Sequence, residues 1–192
     1  MKSSFHFSPD NRHQNGSICH RIPTSSRNIS IEFNASVENG YLIFSFTEET
    51  CPYIALTQGN KAWTGFSLSM TQHRNTSTKF LLHVGSMYDV EQHSLCLSNS
   101  RNFTVGININ DNTVSTYVNN KKCGGDYEFR YDYLNYFSFI GSLVNDTRGE
   151  KKQYGSSDIY GFKVQIPENH EEIFSYELID KLSRKMIDRQ SN

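Results

Sequence analysis

From Phe103 to Asn120 the chain reads FTVGININDNTVSTYVNN. Phe103, Val105, Ile107 and Ile109 fall on every second residue, with Thr104, Gly106 and Asn108 between them. A period of two places the four apolar side chains on one face of a strand. Asn110-Asp111-Asn112 then interrupts the run with residues that tolerate left-handed backbone and hydrogen-bond their own main chain. Val114, Thr116 and Val118 restart the alternation. The stretch therefore predicts a β-hairpin with a short loop.

The same pattern recurs along the chain. Ile29, Ile31, Phe33, Ala35 and Val37 alternate, and Asn39-Gly40 is a two-residue turn signal leading into Tyr41–Thr47. Further strands are predicted at Pro52–Thr57, Phe66–Met70, Phe80–Val84, Ser94–Leu97, Asp126–Tyr133, Tyr136–Val144 and Ile159–Ile166, the last with Tyr160, Phe162, Val164 and Ile166 in phase. Phe and Tyr, 13 and 11 of the 192 residues, suit pleated, half-buried surfaces. Strands spaced by turn signals predict an all-β fold, an antiparallel, jelly-roll-like β-sandwich, over residues 28–167. Its expected core includes Phe33, Phe44, Ile54, Leu68, Leu82, Val105, Ile107, Phe139 and Phe162. Residues 1–27, polar and without a sustained period, are expected to be a mobile, disordered arm. After Pro167, the residues Phe174, Leu178, Leu182 and Met186 recur at every fourth position. They predict an amphipathic helix capped by Asn169, with a polar tail, over residues 168–192. Such a helix packs back on the sandwich or binds a protein partner.

Several function classes are disfavoured. A net charge of −1 gives no electrostatic footprint for nucleic acid. No apolar run approaches the roughly 18 residues of a membrane span. Cys123-Gly124-Gly125 is the longest glycine cluster of its kind and no helix is predicted after it, so neither a dinucleotide nor a methyl-donor cofactor is expected. The G-x-S-x-G turn is missing. His93 with Cys96, and Cys19 with His20, are the nearest approach to metal-ligand pairs, and no matching second pair completes them. Glu48-Glu49 is read as a solvated turn and not as an acid–base pair. Catalysis is thus not expected. Trp63, His73, Arg74, Asn75, Tyr131 and Tyr133, polar-aromatic residues in or near loops, form the expected ligand-binding set. A glycan or a lipophilic small molecule is the expected ligand.

The compartment is left open between two readings. The first 17 residues carry a lysine but no apolar h-region, so they do not read as a signal peptide, which points to the cytoplasm. N-glycosylation sequons at Asn15, Asn28, Asn34, Asn75, Asn102 and Asn145 point instead to an extracellular domain whose leader has been removed. The four cysteines, Cys19, Cys51, Cys96 and Cys123, allow three pairings. In an oxidising compartment the expected disulfide is Cys51–Cys96, because both lie near predicted strand ends.

Pro52-Tyr53-Ile54-Ala55-Leu56, then Phe66–Met70 followed by Thr71-Gln72-His73-Arg74-Asn75-Thr76, fall in a recognisable order. FTVGININDNTV, Tyr136–Gly141, Tyr154-Gly155-Ser156-Ser157 and Gly161-Phe162-Lys163-Val164 follow them. Over about residues 29–166 this series resembles the farnesoic acid O-methyltransferase-like domain, a β-sandwich module of invertebrates. The family's Gly-Gly-Trp is replaced here by Thr71-Gln72-His73, and Asn145–Gln153 is an insertion. The resemblance implies a binding module, whereas the family name implies methyl transfer to a sesquiterpenoid acid. A galectin-like jelly-roll lectin is the alternative, sharing the alternating strands and the Val118-Asn119-Asn120 ending, but without the galectin H-x-N-x-R motif.

Overall fold

Alternating stretches become strands wherever one face can be buried. The computed structural model describes residues 4–7, 17–22, 26–48, 64–74, 76–86, 89–129, 134–141 and 156–175. Among them the strands are β1 (Ser4–Phe7), β2 (Ser17–Arg21), β3 (Asn28–Asn39), β4 (Tyr41–Glu48), β5 (Thr64–His73), β6 (Ser77–Ser86), β7 (Asp89–Ser98), β8 (Asn102–Asn110), β9 (Thr113–Val118), β10 (Lys121–Glu128), β11 (Tyr136–Gly141), β12 (Ser156–Ile166) and β13 (Glu171–Ser175). No helix of the described residues is long and apolar enough to cross a membrane.

Two antiparallel sheets form an all-β sandwich. The first runs β1-β12-β3-β8-β9-β10, and the second β2-β11-β4-β5-β6-β7. β1 and β13 lie end to end along one edge of β12, opposite Ser157–Tyr160 and Lys163–Ile166 respectively. The core between the sheets is aromatic. Phe33 and Phe162 come from the first sheet, Phe44 and Phe139 from the second. The Phe139 centroid lies 5.2, 5.0 and 5.3 Å from those of Phe33, Phe44 and Phe162. Of the expected core, Ile54 lies outside the described residues and the others are buried. Ile107, fully buried on β8, tests this packing: Ile107→Ala should cost about 2–5 kcal/mol in a denaturant titration.

The β8–β9 hairpin forms as expected, with Val105 opposite Val118 and Asn110 opposite Thr113. Other expectations require correction. Asn39-Gly40 does form the expected turn, but it joins β3 of the first sheet to β4 of the second and not two neighbours of one sheet. The turn carries the chain across the sandwich, and the Gln72 N–H donates to the Gly40 carbonyl, 2.9 Å away. In β12 the apolar phase breaks. Ile159, Phe162 and Val164 are buried but Tyr160 is not, because Gly161 and Phe162 together stand opposite Phe33 in a bulge. Gly161 has φ 64°, and a Cβ there would lie 2.9 Å from Asn34 Nδ2, so the bulge takes glycine.

The N-terminal segment is not a disordered arm over its described residues. β1 pairs with β12, β2 pairs with β11, and Ile22 is buried with its N–H donating to the Asn135 carbonyl at 2.6 Å. Strands of four and five residues are too short to show a period. The expected C-terminal helix also fails over residues 171–175. There the chain turns at 167–170 and returns as β13 against β12. Asn169 does accept a backbone bond, from the Glu171 N–H at 3.0 Å, but it closes a hairpin turn and not a helix. His170 sits in left-handed backbone, φ 54°, which stops a helix from starting. Residues 176–192, and with them the expected partner-binding face, lie outside the described residues.

Candidate functional site

One side of the sandwich is closed by the two edge strands β10 and β7, which belong to opposite sheets. Their approach depends on Cys123-Gly124-Gly125, which bulges out opposite Thr116 between the Lys122–Tyr117 and Asp126–Ser115 pairs. Gly124 has φ 80°, and a Cβ there would sit 2.6 Å from Leu95 Cδ2, so β10 comes hard against β7 only with glycine at this position. The bulge turns Cys123 inward, where it is buried and forms a disulfide with Cys96 of β7, Cα–Cα 5.3 Å. The expected Cys51–Cys96 pair is thereby excluded, because Cys96 is taken. Cys19 is disulfide-bonded as well, and no free cysteine occurs among the described residues.

Beyond the disulfide the seam opens into a cleft of about 630 Å³, lined by Glu91, His93, residues 110–113 and residues 126–129. A shallower extension of about 380 Å³ shares Glu91, Glu128 and Phe129 and reaches Thr64 and Asp89. The His93 ring stacks on Tyr127 across the seam, centroids 4.0 Å apart and planes 21° apart. His93 Nε2 is shielded from solvent and makes no hydrogen bond; the Glu91 carboxylate lies 3.5 Å from it. Phe129 anchors the floor, edge-on to Phe66 at 5.7 Å.

The rim is built by the β8–β9 turn. Asp111 sits in left-handed backbone, φ 54°, and its N–H donates to the Arg27 carbonyl at 3.0 Å. The Arg27 guanidinium in turn meets Asp111 Oδ1 at 3.1 Å and Asn112 Oδ1 at 2.8 Å. The Phe129 N–H donates to the Asn112 carbonyl at 2.9 Å, tying the turn to the end of β10. Asp126 is held by Lys122 Nζ at 2.8 Å and by the Ser115 hydroxyl at 2.6 Å. The hydrogen bond from Lys122, and then that from Ser115, hold the Asp126 carboxyl below its ordinary range. The same bond to Asp126 raises Lys122. Away from the cleft, burial lowers His20, whose ring meets Phe137 edge-on. Among the described residues no group of three or more His, Cys, Asp or Glu could hold a metal ion.

Of the expected ligand set, the two described residues, His73 and Arg74, do not line this cleft. His73 ends β5 and Arg74 follows in the turn to β6, exposed and with φ 54°. The cleft meets β5 at its other end, Thr64, roughly 30 Å away for a strand of this length. The Ser77 hydroxyl donates to the His73 carbonyl, so the two residues shape a hairpin turn. Trp63, Asn75, Tyr131 and Tyr133 lie outside the described residues. His93 and Tyr127 carried no local signal for a shared site. Only the approach of two sheet edges brings them together, and the nearest hint was the glycine pair in β10.

Two sheets and an edge-lined cleft define a jelly-roll-like β-sandwich. No family model matches the sequence, and no curated protein matches it significantly. Among solved structures, an alginate lyase from Pseudomonas aeruginosa is similar at TM-score 0.53 and 13% identity, over 77% of this chain and 68% of that one. A tetrameric galectin from the ball sponge Cinachyrella sp. is similar at TM-score 0.44 and 11% identity, over 75% of this chain and 99% of that one. An alginate lyase from Klebsiella pneumoniae gives TM-score 0.49 and 9% identity, over 72% and 60%. Likeness at such identities establishes the fold alone.

Proposed function

We propose that the protein is a non-catalytic binding module that takes a saccharide in the β7–β10 cleft. The observation that carries this reading is the His93–Tyr127 stack, which lines the cleft with an aromatic wall beside the Glu91 carboxylate, itself 3.5 Å from His93 Nε2. Around it, the carboxylates of Glu91, Asp126 and Glu128 accept hydrogen bonds, and the side-chain amides of Asn110 and Asn112 both donate and accept. A polyhydroxylated ligand uses both kinds of group, and its C–H faces suit an aromatic wall. The volume falls within the range of small-ligand sites. A lipophilic acid fits less well, because its carboxylate would face those of the cleft. We further propose membership of the farnesoic acid O-methyltransferase-like family on the sequence resemblance, and an extracellular setting on the bonded state of Cys19, Cys96 and Cys123.

A glycan array of neutral, amine-bearing and anionic saccharides tests the reading. Specific binding competed by free sugar is expected, weakened about tenfold in Tyr127→Ala through loss of the stack and of the His93 orientation it sets. A blank array, or binding unchanged in Tyr127→Ala and His93→Ala, overturns it.

A further inference from the structure

We propose that Asn102 is an N-glycan acceptor, and that of the three sequon asparagines among the described residues it is the one the fold leaves open for a sugar. Asn28, Asn34 and Asn102 each head an Asn-x-Ser/Thr triplet. The side chain of Asn28 is committed twice: Nδ2 donates to Glu168 Oε1 at 3.1 Å, and Oδ1 accepts from the Asp111 N–H at 3.3 Å. Asn34 lies mid-sheet and half-buried, its Oδ1 accepting from the Thr104 hydroxyl at 2.7 Å. Its Nδ2 sits against Gly161, 2.9 Å from where a Cβ would project. A sugar on either nitrogen displaces these contacts. Asn102 is exposed at the first residue of β8, on the face opposite the buried Phe103. Among the described residues only its backbone is engaged, the N–H donating to the Ser100 hydroxyl at 3.1 Å.

In the transfer, Asn102 Nδ2 bonds to C1 of the first sugar of a lipid-linked oligosaccharide diphosphate. The C1–O bond to the diphosphate breaks, the lipid diphosphate leaves, and Nδ2 gives up one proton. The folded chain ties Thr104, which completes the triplet, to Asn34, so transfer precedes the docking of β8 on β3, and the selection falls at folding: a chain carrying a sugar on Asn28 or Asn34 could not then make the contacts above. The compartment that oxidises the cysteines is where such donors are used. Asn102 and Asn110 are the two ends of β8, roughly 27 Å apart, so a glycan leaves the β7–β10 cleft open. Sugar binding and glycosylation can therefore fail independently.

The experiment is secretion of the full chain from a eukaryotic host behind a cleavable leader, followed by glycosidase release in ¹⁸O water and peptide mapping. Conversion of Asn102 to ¹⁸O-labelled aspartate is expected, with Asn28 and Asn34 unlabelled. Asn102→Gln should remove that label and leave the circular dichroism unchanged. An unlabelled Asn102, or labelling of Asn28 or Asn34 in folded, secreted protein, overturns the assignment; mapping of the unsubstituted chain alone decides it if the variant is not secreted.

Discussion

Phe139→Ala is expected to lower the unfolding free energy by about 3–5 kcal/mol, seen in urea as a lower midpoint with an unchanged slope. Phe139 is fully buried on β11 and pairs in register with Phe44. It also stands edge-on to Phe33, at 90°, and to Phe162, at 83°, so one ring touches aromatic partners in both sheets. Removal costs the transfer free energy of the ring, the edge-to-face contacts and the cavity left between sheets that cannot collapse onto it. Phe139→Leu, which keeps most of the volume, should cost much less. Leu97, 57% exposed on β7, is the control, and Leu97→Ala should stay within about 0.5 kcal/mol. Equal effects of Phe139→Ala and Leu97→Ala would mean that the aromatic cluster does not hold the sheets together.

The hairpin at Phe103–Val118 and most of the core were legible because both depend on local alternation: a strand with one buried face writes its orientation into every second residue. What crosses between strands was not legible. Gly40, at φ 79°, supplies the left-handed backbone that a tight hairpin and a sheet-to-sheet crossing both use, so Asn39-Gly40 could not distinguish them. Gly161 shifts the phase of β12 by one residue, which moved Tyr160 off the face predicted for it. The apolar spacing after Pro167 fits a helix, yet residues 171–175 find an open edge on β12, and edge pairing wins over propensity there. The candidate site was the least legible feature. His93 and Tyr127 belong to different sheets and meet only because β10 bulges at Gly124.

Cys96→Ala/Cys123→Ala should destabilise the protein by about 3.5 kcal/mol on the chain-entropy model for a closure of 27 residues, lowering the melting temperature by about 10 °C. Alanine is preferred to serine because Cys123 is buried and a hydroxyl there would lack a partner. The double substitution is cleaner than a reductant, since Cys19 is also disulfide-bonded and would respond too. Beyond the unfolded chain, the bond acts on the seam itself. β7 and β10 pair with β6 and β9 on their inner edges, but no backbone ladder joins them to each other. The disulfide, the close approach of the β10 backbone at Gly124 to Leu95 and the His93–Tyr127 stack help to hold the two edges together. Without the bond the stack should loosen, and the saccharide binding proposed for the cleft should fall together with the melting temperature. Hydrogen exchange should rise in β7 and β10 more than in β3 or β4, whose residues face the aromatic core. An unchanged melting temperature in the double variant, with exchange unaltered at the seam, would show that the edges are held by packing alone.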